Sequence, residues 1–199
     1  MNNQQGQAII HSSLGTLLEK LGVWDRAEHH HNQAIDLNKT INNKQGEALS
    51  RAGVGRLEEE RKNYQQALEY SESALELNRE INNSRDVILQ LSAIGRIHAK
   101  QRQSDKAHKY NQEALELAKE SENNTLMFTA YRVQSLINAV EGDKKAMLES
   151  LQKAGAEYSI ASEQLIEAVR NKDVLPENTP GTGTSLIISL ARGHWLMDN

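Results

Sequence analysis

Arginine is the residue whose spacing in this chain most clearly suggests binding chemistry. Arg56 and Arg96 lie 40 residues apart, each directly after a glycine, and Arg132 lies close to the next step of that period. A guanidinium group holds its N–H donors in a rigid fork that matches the two oxygens of a carboxylate. If a repeated fold places these arginines in one column, they can bind an acidic segment of a partner.

Three consecutive histidines, His29, His30 and His31, are the other feature with possible chemistry. Neighbouring side chains on a helix point about 100° apart, so the three cannot converge on one metal ion. Tyr70 and Tyr110 occupy the position of His30 one and two periods later. We therefore interpret the run as a solvated helix face, with an ordinary surface or semi-buried role, rather than as a metal site. Because no phosphate-binding, hydrolase or zinc-protease motif is present, we predict no metal, no cofactor and no enzymatic activity.

Composition narrows the class of protein. The chain has 199 residues, a net charge of −4 and no cysteine. A nucleic-acid-binding protein usually carries a basic face, so nucleic acid is not the expected partner. The first seven residues are polar, and no apolar run approaches the length of a membrane span. These observations predict a soluble cytoplasmic protein.

The elements that must position the arginines come from an internal repeat of 40 residues. Ile41-Asn42-Asn43 recurs as Ile81-Asn82-Asn83, and two sets of small residues keep the same period. Helix-forming residues dominate, which predicts an all-α fold with two helices in each unit. In the first unit we expect a helix over 5–21, a break at Gly22, and a second helix with Asp25 near its N-cap. The periodic small residues are Gly15, Gly55 and Gly95; Ala27, Ala67 and Ala107; and Ala34, Ala74, Ala114 and Ala154.

These small residues resemble the pattern of the tetratricopeptide repeat family. That family has a Leu-Gly-like pair in the first helix, an alanine twelve residues after the glycine, and another alanine seven residues later. The resemblance implies a right-handed superhelical stack of antiparallel helix pairs, an α-solenoid. It also implies that the first helices line a concave groove that holds a peptide or partner protein. The matching segments are Leu14-Gly15…Ala27…Ala34, Val54-Gly55…Ala67…Ala74 and Ile94-Gly95…Ala107…Ala114.

The repeat predicts a domain organisation. We expect an array over residues 1–160, with units 1–40, 41–80, 81–120 and a degenerate unit 121–160. Ser135 replaces the glycine in the last unit, and the turn at Gly142–Ala146 is one residue short of the pattern. Residues 161–199 should add a helical extension, a Pro/Gly loop and an apolar tail.

The resemblance assigns groove positions to the first helices. Thr16, Arg56 and Arg96 follow the repeat glycines and should face the groove. Their neighbours one turn away should line it as well. Alternatively, the arginines pair with Glu59 or Glu60 and only keep the helix surface soluble. The complete set of expected groove residues is Ser12, Thr16, Glu19, Ala52, Arg56, Glu59, Ser92, Arg96 and Arg132.

The predicted function is that of a protein–protein interaction scaffold, with an acidic segment as the expected ligand. Two alternatives stay open. The chain could be the sensor segment of a larger signalling protein. It could also be a structural module that self-associates through its C-terminal tail or its open N-terminal end.

Overall fold

A computed structural model of the chain describes residues 3–158. This part of the chain is entirely α-helical, which confirms the predicted fold class. The predicted extension, loop and tail over 161–199 lie outside the described residues. The helices are α1 (Gln4–Lys20), α2 (Trp24–Thr40), α3 (Lys44–Glu60), α4 (Tyr64–Glu80), α5 (Ser84–Lys100), α6 (Ser104–Glu120), α7 (Asn124–Val140) and α8 (Lys144–Tyr158).

Identical turns connect the helices, so each unit of 40 residues consists of two halves of 20. After α1, the Val23 N–H donates to Leu18 O at 2.9 Å and the Gly22 N–H to Glu19 O at 3.0 Å. This pair of bonds is a Schellman motif, which requires a left-handed residue directly after the helix cap. Asparagine tolerates that conformation well, which explains the recurring Ile-Asn-Asn segments. The left-handed residues are Gly22, Asn42, Lys62, Asn82, Arg102, Glu122 and Gly142, with φ from 49° to 80°.

The turn also fixes where the next helix begins. Asn43 caps α3, because its side chain accepts a hydrogen bond from the Gly46 N–H at 3.1 Å. The predicted N-cap of α2, near Asp25, lies two residues after the observed N-cap. Val23 is the N-cap and makes no side-chain capping bond, and Asp25 lies in the first turn of the helix.

The periodic small residues form the helix contacts. α1 packs on α2, α3 on α4 and α7 on α8, while α2 contacts α3 and α6 contacts α7. A Cβ atom added to Gly55 would lie 2.9 Å from Ser71 Oγ and 3.4 Å from the Ala67 carbonyl oxygen. Glycine therefore permits a close approach of α3 to α4. The alanines at positions 27, 34, 67, 74, 107, 114 and 154 are fully buried.

The fourth unit follows the period more closely than expected. α7 and α8 begin at Asn124 and Lys144, each 40 residues after the start of α5 and α6. The turn is thus not one residue short. Met147, at 4% exposure, takes the buried position that Ala107 holds one unit earlier, and the neighbouring Ala146 does not. The larger side chain is what disguised the register in the sequence.

The chain forms two compact units, 1–97 and 98–199, with the boundary inside α5. In unit 1–97, Leu18, Ala27 and Leu57 form a core cluster between α1, α2 and α3. The second unit has a core cluster of Ala99, Ala107, Val133 and Ile137.

Candidate partner-binding surface

Two arginine–glutamate forks connect successive first helices of unit 1–97. Arg56 on α3 donates to Glu19 on α1, from Nε to Oε1 at 2.8 Å and from Nη2 to Oε2 at 2.9 Å. Arg96 on α5 donates to Glu59 on α3 through the same atoms at 2.8 and 2.6 Å. Both forks are bidentate, the geometry that fixes a guanidinium group most firmly.

The alternative prediction, pairing of the arginines with Glu59 or Glu60, is thus correct only for Arg96 and only between helices. Arg56 does not pair with Glu59 on its own helix. In both forks the carboxylate partner comes from the preceding 40-residue repeat, 37 positions earlier in the chain.

In each fork the arginine is the more exposed member. The side chains of Arg56 and Arg96 are 40% and 35% exposed, whereas those of Glu19 and Glu59 are 22% and 3% exposed. As whole side chains, the arginines are therefore more accessible than the carboxylates that they bind. The fork bonds use Nε and Nη2 of each arginine and leave Nη1 of Arg56 and Nη1 of Arg96 out.

Electrostatics favour the charged form of one member of each fork. Burial raises the pKa of Glu19, but His31 and Arg56 outweigh it and lower that pKa to about 2. Burial also works against the charge of Arg96, yet the adjacent Glu59 carboxylate raises its pKa overall. Glu19 and Arg96 are therefore charged over the whole physiological pH range.

His31 lies beneath the first fork, and the expectation that it belongs to a solvated run was wrong. The residue is only 2% exposed, and its Nε2 lies 3.8 Å from Glu19 Oε2. A Cβ atom on Gly15 would come within 2.8 Å of the imidazole, and one on Gly53 within 2.5 Å. The ring fits only because both helices facing it carry glycine at these positions.

The other expected groove residues of unit 1–97 differ in exposure. Ser12 is partly exposed, and its Oγ lies 2.7 Å from the Oγ of Ser50 on α3. Thr16 donates to the Ser12 carbonyl oxygen of its own helix at 3.0 Å. Ala52 and Ser92 are 6% and 1% exposed, so the structure places them between helices rather than on an open face.

Arg132, the remaining expected groove residue, belongs to unit 98–199. Its guanidinium carbon lies 5.6 Å from the centre of the Phe128 ring, a cation–π contact. It is not the equivalent of Arg96, because that position in α7 is Leu136.

A second charged network was not predicted. Arg61 at the end of α3 bonds Asp25 at 2.7 Å and Glu28 at 2.6 Å, both on α2, and Glu58 at 2.6 Å. Hydrogen bonding to Glu28 is the main cause of the raised pKa of Arg61. Asn63 also donates to Glu58, at 2.8 Å. The signal in the sequence was the acidic residues near the start of α2, one unit before Arg61.

The remaining histidines of the run lie at the surface. His30 and His11 approach each other through their Nδ1 atoms at 2.9 Å, which links α2 to α1. Burial and the neighbouring His11, His29 and Arg26 lower the pKa of His30. Within residues 3–158, no three side chains converge as ligands for a metal ion.

Comparison with known proteins identifies the family. The sequence model of the tetratricopeptide repeat family matches residues 6–80 and 47–120, which together cover more than half of the chain. The chain belongs to the tetratricopeptide repeat family. A comparison with curated proteins gave no match. In the described part of the chain, no helix combines the length and apolar character needed to cross a membrane.

Among solved structures, the crystal structure of aspartyl phosphate phosphatase F from Bacillus subtilis is similar. The alignment has a TM-score of 0.67 at 15% sequence identity and covers 96% of this chain and 48% of the phosphatase chain. The chain thus spans about half the length of that protein. At this identity the likeness shows the fold. Together, the repeats and this fold support a protein-interaction scaffold.

Proposed function

We propose that this protein binds a peptide segment of a partner protein along the first helices of its repeats, with Arg56 and Arg96 as the main contacts. The partner chemistry we propose is acidic, and the chain acts by binding rather than by catalysis. The expected compartment is the cytoplasm.

The pair of forks is the observation that carries this proposal. An exposed arginine ordinarily loses about 2 kcal/mol of side-chain entropy when a ligand fixes it. In Arg56 and Arg96 the bidentate bonds to glutamate have already restricted the side chain. A ligand that binds to a preorganised group loses less entropy, so more of the contact energy contributes to affinity.

The spacing of the two arginines suits an extended chain. Adjacent helices pack about 8–10 Å apart. Arg56 lies on α3 and Arg96 on α5, which are the first helices of two successive 40-residue repeats. An extended peptide advances about 3.3 Å per residue, so carboxylates a few residues apart can reach both guanidinium groups. Each glutamate of a fork already neutralises its arginine in part. The preference for acidic ligands should therefore be moderate and should depend on the Nη1 groups, which the forks do not use.

A binding experiment tests this proposal. Fluorescent peptides of equal length, with acidic, neutral and basic sequences, are titrated with the intact chain. We expect the acidic set to bind most tightly. The double variant Glu19→Gln, Arg56→Gln removes one guanidinium group while keeping net charge, and it should weaken acidic-peptide binding about tenfold, equivalent to about 1.4 kcal/mol.

The matched control is Arg85→Gln. Arg85 is 67% exposed and lies at the start of α5, away from the forks. If this variant weakens binding as much as the fork variant, general charge attraction explains the affinity and the specific proposal fails. Affinity capture from a native lysate with the intact chain as bait would then identify the natural partner, against which both variants are compared.

A further inference from the structure

The outer face of α1 is apolar and exposed. Ile10, Leu14, Leu17 and Leu21, the last being the C-cap residue of α1, are 58%, 38%, 53% and 66% exposed. Successive spacings of four, three and four residues place them on one stripe of the helix. We refer to these four residues as the α1 seam. All large exposed apolar side chains of the described residues, except Leu49, lie between residues 9 and 24.

Later first helices bury the same positions. In α3, Ser50, Val54 and Leu57 are fully buried, and α2 packs on this helix. In α5, Ile94 and Ile97 are fully buried as well. The α1 seam therefore has the chemistry of a helix–helix contact, but no helix among the described residues covers it.

The spacing of the seam points to its occupant. The order four, three, four is the same in both directions along the helix. If a second α1 lies antiparallel across a two-fold axis, Ile10 meets Leu21 of the second copy and Leu14 meets Leu17 of the second copy. Spacings that alternate between three and four residues are also those of a coiled-coil seam. A two-fold interface requires this kind of self-complementarity.

The charge of α1 agrees with the same occupant. Its only charged residues are Glu19 and Lys20, and Glu19 is already neutralised by Arg56. Two copies of the helix can thus approach without repulsion between like charges. A partner selected by charge would find no complementary group on the seam.

We propose that the protein forms a homodimer in which the α1 seams of two copies pack antiparallel. The seam is short, about 16 Å at 1.5 Å per residue. Val23 and Trp24, each 39% exposed, extend the apolar surface at one end. An interface of this size is smaller than the usual stable one, so we expect association at roughly micromolar chain concentrations.

Molar mass in solution tests the dimer. Sedimentation equilibrium of the full chain should give a mass rising with concentration from 22.3 kDa to twice that value. Leu17→Glu places a charge in the seam and should raise the dissociation constant at least about tenfold. Leu49→Glu is the matched control, because Leu49 is 56% exposed and lies outside the seam. It should leave the dissociation constant unchanged.

Cross-linking tests the register, since the natural chain has no cysteine. Chains carrying Leu14→Cys and chains carrying Leu17→Cys, one of them tagged, are mixed and oxidised. We expect disulfides mainly between the two kinds of chain, with little product from either variant alone. Preferential Leu14→Cys homodimers would indicate a parallel arrangement and overturn the proposal.

Two further outcomes also overturn it. One is a chain that stays monomeric to about 100 µM, including the case in which a cysteine at position 17 resists maleimide because residues 159–199 of the same chain cover the seam. The other is a dimer that Leu17→Glu and Leu49→Glu leave equally strong.

Discussion

Equivalent positions in the two compact units use opposite chemistry. In unit 1–97, Glu59 and Arg96 form a bidentate fork between first helices. Forty residues later, in unit 98–199, the same positions are Ala99 and Leu136. There, Ala99 belongs to an apolar cluster with Val133 and Ile137, and Leu136 packs against it.

This difference teaches that the repeat does not need the forks in order to stack. A buried ion pair is weak evidence for stability, because desolvation of the charges offsets most of their attraction. In unit 98–199 an apolar contact joins the equivalent pair of first helices, through Ala99 on α5 and Val133 and Ile137 on α7. We propose that the forks of unit 1–97 serve instead to orient the two guanidinium groups.

The largest effect should follow from removing one half of a fork. Arg96→Ala takes the bidentate partner from Glu59, whose side chain is only 3% exposed. Loss of one partner of a buried pair costs about 3–5 kcal/mol. Urea denaturation at neutral pH should show a decrease in unfolding free energy of that order.

The double variant Glu59→Gln, Arg96→Gln serves as its control. Both charges disappear together, so no carboxylate is left buried opposite a missing guanidinium group, and the loss should be clearly smaller than in Arg96→Ala. If Arg96→Ala stays within about 1 kcal/mol of the wild type, the forks differ little from exposed pairs.

The second-largest effect should come from acid, which weakens the fork between Glu19 and Arg56. The pKa of Glu19 is about 2 in the folded protein, against 4.5 for an ordinary glutamate. Because the folded-state pKa is the lower one, its contribution is complete above about pH 4.5 and disappears as the pH falls towards 2. The shift corresponds to at most about 3 kcal/mol.

The measurement compares the wild type with Glu19→Gln. Their difference in unfolding free energy should be constant from pH 7 to 5, and more than half of the Glu19 contribution should be lost by pH 3. Subtraction of the variant removes the effect of the other carboxylates, provided that they titrate alike in both proteins. A difference independent of pH would show that Glu19 titrates normally in the folded state.

The sequence was sufficient to predict the helices of the described residues and the small residues at which they pack. Gly55 and Ala67 recur with a fixed period, and small residues at fixed intervals have few explanations other than close helix contact. The period also places the arginines at equivalent positions. The period alone, however, does not specify which neighbour a long side chain reaches, so Glu19 was not identified as the partner of Arg56.

His31 was mispredicted for a related physical reason. Polar runs usually lie at the surface, because burial of an imidazole is costly unless it has suitable partners. Here the space is created by what is missing from two other helices, namely the side chains of Gly15 and Gly53. The additional Gly53 beside the repeat glycine was the one available signal.

The glycines around His31 should show a smaller effect than the forks. In Gly53→Ala the new methyl group would lie 2.5 Å from the imidazole, so the ring or the helix must move. Overpacking of this kind costs about 1–3 kcal/mol, reduced by the better helix propensity of alanine. His31→Ser should rescue the variant, since serine is the residue at the equivalent position 71 of the next unit.

Thermal denaturation of three variants tests this explanation. Gly53→Ala should melt below the wild type, and the double variant Gly53→Ala, His31→Ser should be at least as stable as His31→Ser alone. If Gly53→Ala is as stable as the wild type, the imidazole has room to move and the glycine is not required by it.

The smallest effect, and the most direct test of the comparison, is the transfer of a fork into the second unit. Ala99 and Leu136 are 37 positions apart, as are the members of both natural forks. Ala99→Glu alone buries a carboxylate among apolar side chains and should be destabilising, as should Leu136→Arg alone.

If the backbone geometry of the repeat is sufficient to build a fork, the double variant recovers a coupling free energy of about 1 kcal/mol in a double-mutant cycle. A parallel cycle with Leu136→Lys should recover less, because an ammonium group cannot make the bidentate contact. Equal coupling in the two cycles would mean that simple charge attraction is being measured. Zero coupling in both would mean that the fork depends on surroundings specific to unit 1–97, such as the helix positions around His31.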